Sequence, residues 1–270
     1  QQGGNQEQGR PQRRPIKICE PEQGRPQRRP QGGNQEQEGR VAEEKETWFH
    51  VVGVYDRRKN QIRCYLDGIK RGTKRCTITN RHLNPTFIGV WNIQSPQHRG
   101  SRLNVPFKGK IDDVCFWNRV LSDEEVTGLF ESGSQPNSKP ITRGLKASYP
   151  FNGNPRDESG NGKNGSLRGP KLTKDRFGHK NAAFYFDGDD YVKISRPIIT
   201  NNSDSYTVSA WVLPDEGFTT GMVVSDRPGP GGPSEGYKYY LYFGMDNSKP
   251  SITFAVHNAS PWRFTTVSGN

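Results

Sequence analysis

From residue 48 to residue 267 the chain is written in short runs rich in Val, Ile, Tyr, Phe and Thr, broken by Gly, Asn, Asp and Pro. Runs this short that alternate apolar and polar residues put successive side chains on opposite faces of a strand, the pattern of antiparallel sheet rather than helix. Candidate strands cover 48–55, 61–66, 69–75, 86–90 and 108–117, then 145–151, 182–187, 191–194, 206–213, 221–225, 237–244, 251–256 and 262–267. Asp67-Gly68 suits a tight hairpin turn, whose two central residues need positive φ. One helix is signalled over 123–130, because Ser122 and Glu125 form a capping box flanked by the hydrophobic staple Leu121 and Val126. The fold class implied is all-β, an antiparallel jelly-roll β-sandwich with one short surface helix.

The first 43 residues obey other rules. QGRPQRRP occurs at 8–15 and again at 23–30, with QGGNQEQ at 2–8 and 31–37, and Ile16 and Ile18 are almost the only apolar side chains between them. Such a segment cannot offset the entropy of ordering its backbone, so it reads as a disordered tail. Its pairs Arg13, Arg14 and Arg28, Arg29 suit phosphate or sulfate, although a solvated linker needs them no less. The divisions expected are a tail over 1–43, a β-rich segment over 44–134, a polar linker over 135–143 and a second β-rich segment over 144–270.

The formal net charge of +11 favours encounters with polyanions and selects none of them. No run approaches the eighteen or so apolar residues of a membrane-spanning helix. The chain opens at Gln1, as a fragment or a processed chain does, so the missing leader does not argue for the cytosol. Cys19, Cys64, Cys76 and Cys115 lack the close CxxC spacing of zinc or redox sites, which leaves disulfides open. Asn164, Asn201 and Asn258 each open an N-x-S/T sequon, which tilts the reading towards secretion.

Two long blocks carry a family resemblance. The stretch LKASYPFNGNPRDESGNGKNGSLRGPKLTKDRFGHKNAAFYFDGDDYVKI, 145–194, resembles the opening of a laminin-G-like domain of the concanavalin-A-like lectin and glucanase superfamily, to which pentraxins are related. WFHVVGVYDRRKNQIRCYLDGIKRG, from Trp48, and FKGKIDDVCFWNRVLSDEEVTGLF, from Phe107, are similar to its second half and close. The closing half therefore precedes the opening half, as in a circular permutant or in a window cut from a tandem array. Each half alone would expose an apolar face, so the two are expected to complete one sandwich, or to do so by exchange between two copies in a homodimer.

The resemblance implies a non-catalytic, secreted recognition module for a glycan or an extracellular-matrix or cell-surface protein, with a structural calcium. Similar family members hold calcium with an aspartate of the DESGNG loop and one of the I-D-D-V strand, which implicates Asp157, Asn161, Asp112 and Asp113. Turn building accounts equally for Asp157 and Asn161, and strand alternation would point one of Asp112 and Asp113 to solvent. Asp187, Asp189 and Asp190 form a second acidic cluster that would serve in the pentraxin manner, or simply a hairpin turn. Trp91, Trp262, Tyr237, Tyr239 and Tyr240 lie near loops and are candidates for a ligand platform, whereas Trp48, Tyr55, Trp117, Phe186 and Trp211 read as core.

The runner-up is a sulfated-polysaccharide binder using Arg57, Arg58, Lys59, Lys70, Arg71, Lys74 and Arg75 around one hairpin, residues that would also serve as a solvated edge. A structural spacer is the third reading. The five histidines occur singly, without metal spacing or a nucleophile motif, and no strand carries the alternating acids of a glucanase, so an enzyme is not expected. Limited proteolysis is predicted to trim the chain to near Val41 and then stall; an intact tail at full digestion of a control peptide would contradict this.

Overall fold

The computed structural model of the chain describes residues 46–76, 84–90, 106–135, 139–200, 205–226, 239–246, 248–258 and 263–269. The expectations for the tail and for Trp91, Tyr237 and Trp262 fall outside these residues. In chain order the elements are β1 (Phe49–Asp56), β2 (Gln61–Leu66), β3 (Ile69–Arg75), β4 (Thr86–Ile88), β5 (Lys108–Trp117), α1 (Asp123–Gly133), β6 (Leu145–Tyr149), β7 (Ser166–Arg168), β8 (Lys171–Thr173) and β9 (Ala183–Asp187). They continue with β10 (Tyr191–Ile194), β11 (Tyr206–Pro214), β12 (Thr220–Asp226), β13 (Tyr239–Asp246), β14 (Lys249–Asn258) and β15 (Arg263–Gly269).

These strands form two sheets. The eight-stranded sheet runs β3-β2-β1-β11-β5-β9-β8, with β6 also paired to β5, and the seven-stranded sheet runs β15-β14-β13-β12-β4-β10-β7. Strands from before and after residues 135–143 are interleaved in both. β11 lies between β1 and β5, in register from Phe49 opposite Val212 to Tyr55 opposite Tyr206, and β4 lies between β10 and β12.

Alternation explains the packing. Val51, Gly53 and Tyr55 of β1 face inward, and the inner core gathers Phe186, Val224, Phe243 and Phe254 from both sheets. Val52 and Val54 face outward under α1, where they join Tyr65, Trp117, Leu121 and Val126 in a second cluster. The Ser122 hydroxyl accepts from the Glu125 amide at 3.1 Å and the Glu125 carboxylate accepts from the Ser122 amide at 3.0 Å, so the capping box forms as expected. α1 runs three residues past the expected end, to Gly133, beneath the Trp211 indole.

Two strands escaped the sequence pattern. β7 and β8 each hold one apolar residue, Leu167 and Leu172, and both of these are exposed. Three residues with a single exposed Leu produce no alternation to read, and Gly169-Pro170 between them reads as loop.

Cys64, Cys76 and Cys115 are free and buried, and burial pushes each thiol up to about 12. They behave as small core residues rather than nucleophiles.

Gly53 sets the sheet separation at the centre of β1. A Cβ there would stand 2.3 Å from the Phe254 ring. Gly53→Ala is therefore expected to destabilise the fold by about 1–3 kcal/mol through overpacking, read as a lower urea midpoint at unchanged m-value.

Candidate functional site

The I-D-D-V segment of β5 does not alternate. Ser209 of β11 faces Cys115 while Trp211 faces Asp112, so two residues of β5, Asp113 and Val114, oppose Ala210 alone. Asp113 takes φ 46° in this bulge. The extra residue turns both carboxylates the same way, and the expectation that one points to solvent is thereby corrected. Arg176 meets them from the loop after β8, with Nη1 2.7 Å from Asp112 Oδ2 and Nη2 2.6 Å from Asp113 Oδ2. Its Nε donates to the Gly133 carbonyl at 2.7 Å, which completes the C-terminus of α1. The guanidinium also lies over the rings of Phe177 and Trp211, at 4.6 and 4.7 Å.

Around this anchor opens a groove of about 580 Å3, bounded by residues 139–142, 152–159 and 175–179. Asp175 builds one wall, accepting from the Phe177 and His179 amides at 2.9 and 2.8 Å and lying 2.9 Å from His179 Nδ1. Burial, and then the neighbouring carboxylate, raises Asp112 well above the usual carboxylate range, and burial raises Asp113.

His50 lies behind Arg176, its ring 5.0 Å from that of Trp211 and 6.3 Å from that of Phe130. Burial, with the Arg176 charge added, lowers it to about 3.

Asp157 organises its own loop. Its Oδ1 accepts from the Ser148 and Ser159 amides at 3.1 and 2.9 Å and its Oδ2 from the Lys163 amide at 2.9 Å. Burial alone would raise this carboxyl, but the hydrogen bonds from Ser159, Lys163 and Ser148 outweigh it and hold the group below the usual range. Asn161 donates through Nδ2 to Ser159 Oγ at 2.9 Å and to the Leu145 carbonyl at 3.3 Å. Calcium takes six to eight oxygens. Of the candidate ligands, Asp112 and Asp113 already face a guanidinium and Asp157 already caps three amides. The acidic group that does converge among the described residues is Asp187, Asp189 and Asp190, with ligand atoms within 4.8 Å of one another.

Tyr239 is corrected from platform to core: it is 1% exposed, with its ring 5.2 Å from that of Tyr206. Tyr240 is buried too. Of the expected core aromatics, Tyr55, Trp117, Phe186 and Trp211 are buried, whereas Trp48, just before β1, is only half-buried.

The basic residues divide into two groups. Lys70 and Arg63 both pair with Asp123, at 2.5 and 2.6 Å, and Arg71 is half-buried with its backbone against Gly269. At the other end of the hairpin, register places Arg75 opposite Gln61 and Lys74 opposite Ile62, next to the turn that holds Arg58 and Lys59. That turn is fixed by Asp56, whose Oδ1 accepts from the Arg58 and Lys59 amides at 3.0 and 3.1 Å. Asn60 adopts φ 47°, and its carbonyl accepts from the Cys76 amide at 2.8 Å. Arg58, Lys59, Lys74 and Arg75 are exposed and have no carboxylate partner among the described residues.

Residues 22–127 match a family model described as the concanavalin A-like lectin/glucanases superfamily. The fold that carries this stretch is a sandwich of two antiparallel sheets. The matched stretch takes in β1 to β5 and the start of α1; the remaining strands of the sandwich lie beyond it. No curated protein and no solved structure matches the chain. Among the described residues no helix is long and apolar enough to cross a membrane. The likeness over 22–127 supports a carbohydrate- or protein-binding module in general terms.

The depressed His50 makes stability depend on acid. Below about 6.5 the unfolded chain takes up a proton at this position that the folded chain refuses until about 3. Folding is thus expected to lose about 1.4 kcal/mol per pH unit from this residue across that window. Urea unfolding at pH 6.5 and 4.5 should show a smaller loss in His50→Phe, which keeps the ring stack but cannot titrate; equal losses would refute the assignment.

Proposed function

We propose that the chain is a secreted, non-catalytic recognition module that holds an anionic glycan, a sulfated polysaccharide above all, at the cationic end of the β1–β2–β3 hairpins. The observation that carries this reading is the convergence of Arg58, Lys59, Lys74 and Arg75, all exposed and without carboxylate partners among the described residues, at one end of the hairpin. Like charges brought together raise the local potential and attract a polyanion, and the released counterions make the affinity depend steeply on salt. The backbone beneath them is already ordered by Asp56 and Asn60, so little conformational entropy is lost on binding. The overall charge of +11 adds long-range steering.

A calcium-ordered rim for a glycan or a protein partner is the second reading, favoured by the three carboxylates Asp187, Asp189 and Asp190. Those oxygens would supply part of a calcium shell, with backbone carbonyls and water as the remainder.

Heparin chromatography of the full chain separates the two. Retention is expected, with elution at a lower salt concentration after Arg58→Gln, Lys59→Gln, Lys74→Gln and Arg75→Gln are combined, and no response to chelator. A quadruple variant that elutes with the parent would refute the hairpin site, and a chelator-sensitive retention would favour the rim.

A further inference from the structure

The loop that Asp157 organises ends in Asn164-Gly165-Ser166, a sequon whose two polar residues are exposed. Asn164 is positioned through one atom only: its Oδ1 accepts from the Asp157 amide at 3.0 Å. Ser166 opens β7, and its hydroxyl donates to the Lys193 carbonyl at 3.2 Å. Earlier in the same loop a Cβ at Gly160 or Gly162 would meet nothing within 4 Å, whereas Gly165 inside the sequon packs against Val192 and Pro155, so the open space lies on the exposed side of the loop. Asn258 closes β14 opposite Arg263, and Asn201 lies outside the described residues.

We infer that Asn164 is an N-glycosylation site, modified by transfer of an oligosaccharide from a lipid diphosphate donor. In that transfer the Asn164 Nδ2 forms a bond to the anomeric carbon of the sugar. The bond from that carbon to the diphosphate oxygen breaks, the lipid diphosphate departs with its electron pair, and the amide nitrogen gives up one proton to the transferase. The fold accommodates the product because the atom that anchors the loop is Oδ1 and the one that carries the glycan is Nδ2.

The position also has a use. β7 is an edge strand, paired on one side only to β10, and Leu167 is 43% exposed on it. Unpaired edges bearing apolar residues recruit other strands. A bulky hydrated glycan two residues before the start of β7 covers that edge, much as charged or bulged edges do elsewhere.

The inference rests on the secretory reading above, but its test does not depend on glycan binding by the hairpin. The full chain behind a cleavable leader is translated with microsomes, and the protease-protected product is digested with a peptide amidase that removes N-glycans. Asn164 is expected to carry the glycan and to appear as aspartate after release, in peptide mass spectra. Ser166→Ala should abolish that glycan while retaining the Asn164 Oδ1 hydrogen bond, and it should keep the parent's thermal midpoint measured without glycan. An unmodified Asn164 in translocated chain would overturn the inference whatever the heparin result.

Discussion

Everything in the sandwich depends on β11 finding its place between β1 and β5. It is buried along most of its length and is bonded on both edges to strands that precede it by about a hundred residues or more. A central strand of this kind leaves no backbone group for water, so its amides and carbonyls must all be met by neighbours. Without β11 the first segment's share of the eight-stranded sheet is two separate pieces, the β1–β2–β3 hairpins and β5, each with a bare edge. The inner apolar faces of those pieces would likewise be uncovered. That is why the segments before and after residues 135–143 are parts of one hydrophobic structure here.

Arg176 does for the outer face what β11 does for the sheet. A single guanidinium answers two carboxylates, one carbonyl at a helix end and two aromatic faces. Buried ion pairs are poor sources of net stability, because desolvation offsets much of the attraction. Removing one partner is nevertheless severe, since it strands the others without compensation. The arrangement therefore specifies geometry more than it adds free energy, fixing the C-terminus of α1, the 175–179 loop and the β5 bulge in one relationship.

Much of the fold was legible because it follows a period. β2, β3, β5 and β10 match the expected spans residue for residue, and the capping box located the start of α1. The losses have physical causes. β7 and β8 carry too few apolar residues to alternate. The bulge at Asp113 depends on the register that β11 imposes, and no local pattern in I-D-D-V announces it. Arg176 was missed for the same reason: an arginine in a D-R-F-G-H turn acquires meaning only when a distant strand presents two acids to it, although the Asp175 turn itself had a local signal in the aspartate and glycine. Tyr239 was misread because nearness to a loop in sequence says nothing of depth. The cationic turn was visible as composition, but its division into a paired group at Asp123 and an unpaired group at Lys74 and Arg75 required the hairpin register.

The position of β11 has a consequence for biosynthesis. The chain leaves the ribosome from its N-terminus, and β1 must wait for some 150 residues to follow it before its partner exists, on the order of 8 to 30 seconds at ordinary elongation rates. During that interval Val51, Tyr55, Cys64 and Phe116 have no second layer against them. Over that interval nascent chains are therefore candidates for chaperone capture, and the apolar inner face of the early hairpins is the surface a chaperone would hold.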